Sequence, residues 1–368
     1  MKVLFVARGP YRLPLSVELR RKWDAVRDEL DFRVLAAGAG GDAEFRLASG
    51  LPALDGAAFY AALPARIARE LRDFRPDAVL AQGAHETAAA LAGKRLARVD
   101  TAVIADLHGD WRAPTRLYGS RLRGLLSPVA DRVAESALRR ADGVRTVTGY
   151  TTRLVRKLGI EPADEFPAYM DFASFLEQPV APLPEEAQAL FVGVLERYKN
   201  VDGLAEAWRR AAPRIPEARL RIVGRGTLAR VVERLVADLP GQTSWSPRLT
   251  QPEVAAVLDE STALVLPSRS EWMGRVVVEA FCRGRAVLGS RVGGIPDLVE
   301  DGVNGLLVDP HDTNGLAEAL IRLLTDRELA ERLGAGAHES AAQWTITPEE
   351  FARRIRSLVR QVTGLGLS

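Results

Sequence analysis

Residues 271–305 read EWMGRVVVEAFCRGRAVLGSRVGGIPDLVEDGVNG. Val276 to Arg283 carry an Ala/Val/Phe face at helical spacing, and Gly284 suits the left-handed position that ends a helix. Ala286 to Gly289 follow as a short apolar strand, and Gly293-Gly294 make a turn after it. Glu271 then lies just outside the helix and Glu279 about two turns in, roughly 12 Å along the axis. Between them the N–H groups from Met273 through Gly274, Arg275 and Val276 to Val277 form the positive end of a dipole, where a pyrophosphate prefers to sit. Carboxylates on either side of such a phosphate can accept hydrogen bonds from hydroxyls. Sugar, phosphate and ribose are implied together.

The run Glu271, seven residues, Glu279, then Gly293-Gly294-Ile295-Pro296 and Asn304-Gly305 resembles the donor-site signature of the family 4 retaining glycosyltransferases. The resemblance implies a GT-B fold: two Rossmann-like α/β domains facing each other across a cleft. It implies that Glu271 meets hydroxyls of the transferred sugar and Glu279 the ribose of a nucleotide sugar. Two glutamates at this spacing alone would mean little, because surface helices carry such pairs by chance.

Upstream, Leu190 to Asn200 (LFVGVLERYKN) is a short apolar strand ending at Gly193, a loop, and Lys199 before a helix from Val201 to Arg210. This is similar to the family's phosphate loop, in which an arginine follows the glycine and a lysine comes five residues later. Lys199 matches; the arginine position holds Val194. Arg197 in the same loop and Arg275 at the helix mouth are candidates for the missing charge. Of the 50 basic residues only five are lysine (2, 22, 94, 157 and 199). Arginine serves wherever a generic cation suffices, so a compact ammonium at 199 points to a specific task.

Apolar strands alternate with helical segments in both halves, as parallel sheets with crossover helices require. Strands are expected at Lys2–Ala7, Phe32–Ala36, Ala78–Ala81, Ala102–Leu107 and Gly143–Thr148. In the second half they are expected at Ala189–Gly193, Arg219–Val223, Ala263–Leu266, Ala286–Gly289 and Gly305–Val308. A length of 368 residues exceeds what one core supports. Glu161 to Glu186, with prolines at 162, 167, 179, 182 and 184, reads as a linker. The division is an acceptor-binding domain over 1–170 and a donor-binding domain over 171–344. By the resemblance, a C-terminal helix within 345–368 packs back on the first.

A formal charge of +2 demands no nucleic acid, and the single Cys282 permits no intramolecular disulfide, which suits a reducing compartment. Met1 to Ala7 is too short for a signal peptide, and no segment reaches the roughly 20 apolar residues of a membrane span. The chain is expected in the cytoplasm. Peripheral contact with the inner membrane face stays open, since Arg112, Arg116, Arg121, Arg123, Arg132, Arg139 and Arg140 share a segment with Trp111, Leu117, Leu122, Leu125 and Leu126. A solvated helix face is the plainer reading of that segment.

His108, in the run His-Gly-Asp-Trp, follows a strand and resembles the family's histidine that approaches the donor sugar from the opposite domain. Gly9 is expected to open the first strand-to-helix turn on the acceptor side, although Gly9-Pro10 replaces the family's paired glycines. His85 and Glu86 read as helix-capping or surface groups. There is no Asp-x-Asp, no Gly-x-Ser-x-Gly and no Cys/His cluster at metal-ligand spacing. The expectation is therefore metal-independent transfer with no cofactor, from a UDP- or GDP-sugar to an unidentified acceptor, lipid-linked or a small-molecule glycoside. Alternatives are a nucleotide-sugar epimerase on the same fold, a sugar-binding protein without turnover, and a nicotinamide-dependent oxidoreductase suggested by Gly224-Arg225-Gly226. The last leaves the stretch from Glu271 to Asn304 unexplained.

Overall fold

The structure, a computed structural model, describes residues 1–48, 55–112 and 121–365, without the side chains of 55–58 and 121–126. It divides into two compact units, one of residues 1–170 with 346–368, the other of 171–345.

The first unit is built on seven parallel strands: β1 (Lys2–Arg12), β2 (Asp31–Ala39), β3 (Phe45–Ala48), β4 (Ala78–Gln82), β5 (Ala102–Leu107), β6 (Gly143–Thr146) and β7 (Asp164–Glu165). Their order, β3-β2-β1-β4-β5-β6-β7, reverses between β1 and β4. Runs such as Val3–Ala7 and Val103–Ala105 are buried throughout, because helices cover both faces of a parallel sheet. β1 does not stop at Ala7. Its register with β2 shifts between Ala7 and Pro10, which then pairs with Ala37, so the chain stays extended to Arg12. The shift absorbs a proline that has no N–H to give the ladder.

The helix Pro348–Thr363 belongs to this unit. Thr347 caps it by accepting from the Glu350 N–H, and Phe351, Ile355 and Val359 enter a core with Trp23, Phe32 and Phe166. Lys22 lies half-buried beside that core, its ammonium 4.9 Å from the Trp23 ring centroid and 5.0 Å from that of Phe351. Burial pulls the Lys22 ammonium down to about 8, against the attraction of Asp106 and helped by the repulsion of Arg145; Glu18 opposes it weakly. Between about pH 8 and the ordinary lysine value near 10.4 the unfolded chain thus holds more protons than the folded one, and stability rises with pH across that window. Lys22→Met is expected to be more stable than the wild type at pH 7 by about 3 kcal/mol, at 1.36 kcal/mol per unit. The gap should close by pH 10 in thermal unfolding; a constant gap would show that burial does not tax this charge.

The second unit repeats the plan with β8 (Gln188–Val192), β9 (Arg219–Val223), β10 (Thr243–Ser246), β11 (Ala263–Leu266), β12 (Ala286–Ser290) and β13 (Gly305–Val308). All pair in parallel in the order β10-β9-β8-β11-β12-β13, with the reversal between β8 and β11. Ligands of such sheets bind outside the carboxyl ends of the strands at the reversal.

The proline-dense stretch is not a free linker. It contains β7 and a helical turn, Ala173–Leu176, and its 175–182 segment is gripped by two fully buried arginines. Arg283 donates to the carbonyls of Phe175, Gln178 and Pro179 and forms a two-pronged pair with Asp259 at 2.8 and 2.7 Å. Arg285 donates to the carbonyls of Ala181 and Pro182, and to those of Leu258 and Asp259. Segments rich in proline lack N–H donors, and the arginines satisfy their unused carbonyls.

Arg116 and Leu117 lie outside the described residues, as do the side chains of Arg121, Leu122, Arg123, Leu125 and Leu126. Trp111 is not a lipid-facing group: it is buried among Ala105, Leu138 and Val144. Arg112 is paired with Asp110 through two hydrogen bonds. Val129 and Val133, one turn apart on the helix Arg121–Leu138, are exposed. No helix among the described residues is long and apolar enough to cross a membrane.

Candidate functional site

The loops after β8 and β11, the two strands at the reversal, are joined into one surface. Gly224, at φ +143°, lies so close beneath Gly193 that a Cβ on it would stand 1.8 Å from the Gly193 carbonyl oxygen. Only glycine fits there. The Leu195 N–H donates to the Arg225 carbonyl at 2.9 Å, and the Glu196 carboxylate accepts from the N–H and hydroxyl of Thr227. The turn over 224–227 and the loop over 193–196 are thereby held as one piece. Trp245 braces it by donating from Nε1 to the Gly224 carbonyl at 2.8 Å.

Arg269 ties in the second loop. Its N–H donates to the Tyr198 carbonyl at 2.7 Å, and its guanidinium reaches the Arg197 carbonyl and both oxygens of Asp202. This brings Glu271 against Lys199, and the Lys199 ammonium donates to Glu271 Oε2. Both side chains are only about an eighth exposed, at 12% and 13%. Ser268, fully buried, offers its hydroxyl to the same oxygen at 3.4 Å and accepts the Ser290 hydroxyl on its carbonyl.

Gly293 and Gly294 pass against the backbone of this loop. A Cβ on Gly293, which sits at φ +58°, would lie 1.8 Å from the Glu271 carbonyl oxygen, and one on Gly294 1.9 Å from that of Trp272. The glycine pair thus lets the turn after β12 close on residues 271–273 main chain to main chain, sealed by the Gly294 N–H donating to the Glu271 carbonyl at 3.0 Å.

The helix expected over 276–283 spans Arg275–Cys282, and Gly274 precedes it with no side-chain cap. Of the N–H groups expected to be open, that of Val277 is taken by the Gly274 carbonyl at 2.7 Å. Val276 is buried, and Met273 is partly exposed. Glu279 is buried within the helix and accepts from Arg275 Nε at 2.8 Å, while Arg275 also reaches the Asp171 carbonyl at 3.1 Å. Arg275 is thus engaged with Glu279 and with the main chain at Asp171. Arg197 is exposed in the short helical turn Arg197–Lys199. Burial, then the Glu279 carboxylate, pushes the Cys282 thiol up to about 12, so no thiolate forms near neutral pH.

In the first unit His108 follows β5, with Nε2 3.1 Å from Asp106 Oδ2. Gly9 is not in a turn: it lies inside β1 at the register shift, and a Cβ on it would meet nothing within 4 Å. It therefore has no close approach to explain. Glu86 is no surface group either. It is buried and accepts from the Tyr60 hydroxyl at 2.6 Å, and burial raises its carboxyl above the usual range. Among the described residues no three His, Cys, Asp or Glu side chains are grouped to hold a metal ion.

Ser268, Arg269 and Asp106 escaped the sequence reading. The Arg269–Asp202 pair spans 67 positions and has no local signal, whereas Asp106 stands on β5 only two residues before His108, within reach of its ring.

Residues 175–340 match the model of the glycosyl transferases group 1, and residues 18–164 that of Glycosyltransferase Family 4. The chain belongs to the family 4 glycosyltransferases, of GT-B fold. Sucrose-phosphate synthase from Thermosynechococcus elongatus superimposes over 99% of both chains with a TM-score of 0.76 at 19% identity. HepE of Anabaena, solved in complex with UDP, covers 97% of this chain and is itself covered completely, with a TM-score of 0.72 at 19% identity. D-inositol 3-phosphate glycosyltransferase of Thermobifida fusca is 34% identical over 196 residues, 49% of this chain and 44% of its own. N-acetyl-alpha-D-glucosaminyl L-malate synthase of Bacillus anthracis is 32% identical over 151 residues, 41% of this chain and 39% of its own. The chain spans less than half the length of these curated relatives.

Proposed function

We propose that this family 4 protein is a retaining glycosyltransferase that moves a sugar from a nucleoside diphosphate, UDP or GDP, to an acceptor, without a metal ion. The observation that carries the reading is the Lys199–Glu271 pair at the carboxyl ends of β8 and β11, beside the start of the helix Arg275–Cys282. A diphosphate seated there finds the Lys199 ammonium and the helix N-terminus together. Lys199 neutralises the charge left on the diphosphate as the sugar departs. Glu271 accepts from sugar hydroxyls and Glu279 from the ribose, and by the resemblance His108 approaches the donor sugar. UDP as the nucleotude is supported by the fold likeness to HepE, whose structures hold UDP and UDP-glucose. The acceptor, lipid-linked or a small glycoside, is assigned to the first unit, and peripheral membrane contact there is part of the lipid-linked case.

Glu271 is tied to Lys199 and Ser268 and is poorly suited to serve as nucleophile or general base. The reading is therefore a same-face departure and attack, in which the leaving phosphate oxygen takes the acceptor's proton. Proton NMR of fresh product made in excess EDTA tests it. A product with the donor's anomeric configuration, formed at an undiminished rate, is expected. An inverted anomeric coupling would refute the same-face course, and activity restored only by magnesium or manganese would refute metal independence. Donor incubated without acceptor should give no isomerised sugar nucleotide, which separates transfer from epimerisation.

A further inference from the structure

Asp106 and Arg145 stand directly opposite each other on β5 and β6. Arg145 is completely buried and held by both of its terminal nitrogens. One arm donates to Asp106 Oδ1 at 2.5 Å, the other to the carbonyls of Phe166 and Pro167, and its plane lies 3.8 Å from the Phe166 ring centroid. Asp106, 5% exposed, has its other oxygen against His108 Nε2. Burial alone would raise the Asp106 carboxyl, but Arg145 and His108 hold it well below the usual carboxylate range. The carboxylate is thus fixed as an acceptor on both oxygens.

An acceptor facing Nε2 requires the proton to be there, and in the neutral ring Nδ1 is then an unprotonated acceptor. The Gln82 amide nitrogen is 3.1 Å from Nδ1 and 3.2 Å from Nε2. Near-equal distances place it over the ring, out of line with the Nδ1 lone pair. The imidazole is 36% exposed, so that lone pair has a route to a ligand.

We propose that Asp106 is a positioning residue, which holds His108 in the Nε2–H tautomer so that the ring meets a substrate hydroxyl through Nδ1 as a hydrogen-bond acceptor. This deepens the glycosyl-transfer reading and rests on it for the identity of the hydroxyl. A merely structural Asp106–Arg145 pair sets no tautomer, and the two roles are therefore separable. The histidine of a Ser-His-Asp triad is oriented by an aspartate in the same physical sense, and there an asparagine in its place leaves the wrong tautomer.

The test is long-range proton–nitrogen NMR of the intact protein carrying 15N-histidine, at a pH where the ring is neutral, with the His108 signals identified by their loss in His108→Asn. The wild type should show the proton on Nε2. Asp106→Asn should move it toward Nδ1 and slow sugar transfer about tenfold, the effect of one hydrogen bond lost. A wild-type ring protonated on Nδ1 overturns the proposal, as does an unchanged Nε2–H signal in folded Asp106→Asn, or wild-type turnover in His108→Ala. If Asp106→Asn does not fold with Arg145 unpaired, the wild-type tautomer alone still decides. The tautomer is read without substrate, so its failure is distinct from failure of the glycosyl-transfer reading, which the product spectrum decides.

Discussion

Lys199→Ala is expected to lower the rate of sugar transfer by about 100- to 1,000-fold, the scale on which removal of one preorganised donor to developing charge is felt. Its ammonium is the group at the reversal of the second sheet that faces Glu271 at small exposure, where a charge interaction is worth more than in water. The valine at 194 increases the demand on it, since the other cation that the resemblance leads one to expect is absent. Lys199→Arg should recover only part of the loss, because a planar fork does not reproduce a compact point charge. Single-turnover rates at saturating donor would measure this, and a wild-type rate in Lys199→Ala would remove the residue from the mechanism. By contrast Glu279→Ala should act chiefly on donor affinity, by roughly 1.5 to 3 kcal/mol for a charged hydrogen-bond acceptor.

Arg283→Ala should cost about 3 kcal/mol of the second unit's stability, because it removes a fully buried side chain and leaves the partly exposed Asp259 with only the more distant Arg285. Three carbonyls lose their donor in the same step. For a unit of this size each kcal/mol moves the melting temperature by about 2 to 4 °C, so a drop near 10 °C is expected. Arg283→Lys should recover little, as one ammonium cannot hold Asp259 and three carbonyls at once. A loss under about 1 kcal/mol in thermal or urea unfolding would mean that other contacts hold the 175–182 segment.

The sheets were legible because strands covered on both faces read as continuous apolar runs, as at Val3–Ala7 and Ala263–Leu266. The edges were not: β3 has four residues and β7 two, and their partly exposed sequences carry no such run. β1 was read short because Arg8-Gly9-Pro10 has the composition of a break, and only its pairing with β2 shows that the strand survives it. Lys199, Glu271 and Glu279 were legible by spacing within their own segments. What links the segments was not, since Arg269 acts on a loop some 70 residues earlier and Arg283 on a chain about 105 residues earlier. Prolines announce that a stretch lacks regular structure; they do not announce what holds it.

That the arginines at 283 and 285 touch the 175–182 segment only at main-chain oxygens has a consequence for how this stretch tolerates change. Recognition by carbonyls is blind to side chains but strict about path. Substitutions over 176–182 that keep the backbone course should be borne easily, unlike those at the fully buried Phe175, whereas inserting or deleting a single residue shifts every later oxygen out of register with guanidinium groups that cannot move. Chimaeras that exchange the second unit between relatives should therefore be joined before Asp171. A junction at Glu186, where the prolines end, would hand the two arginines a foreign stretch whose length they were not built to fit.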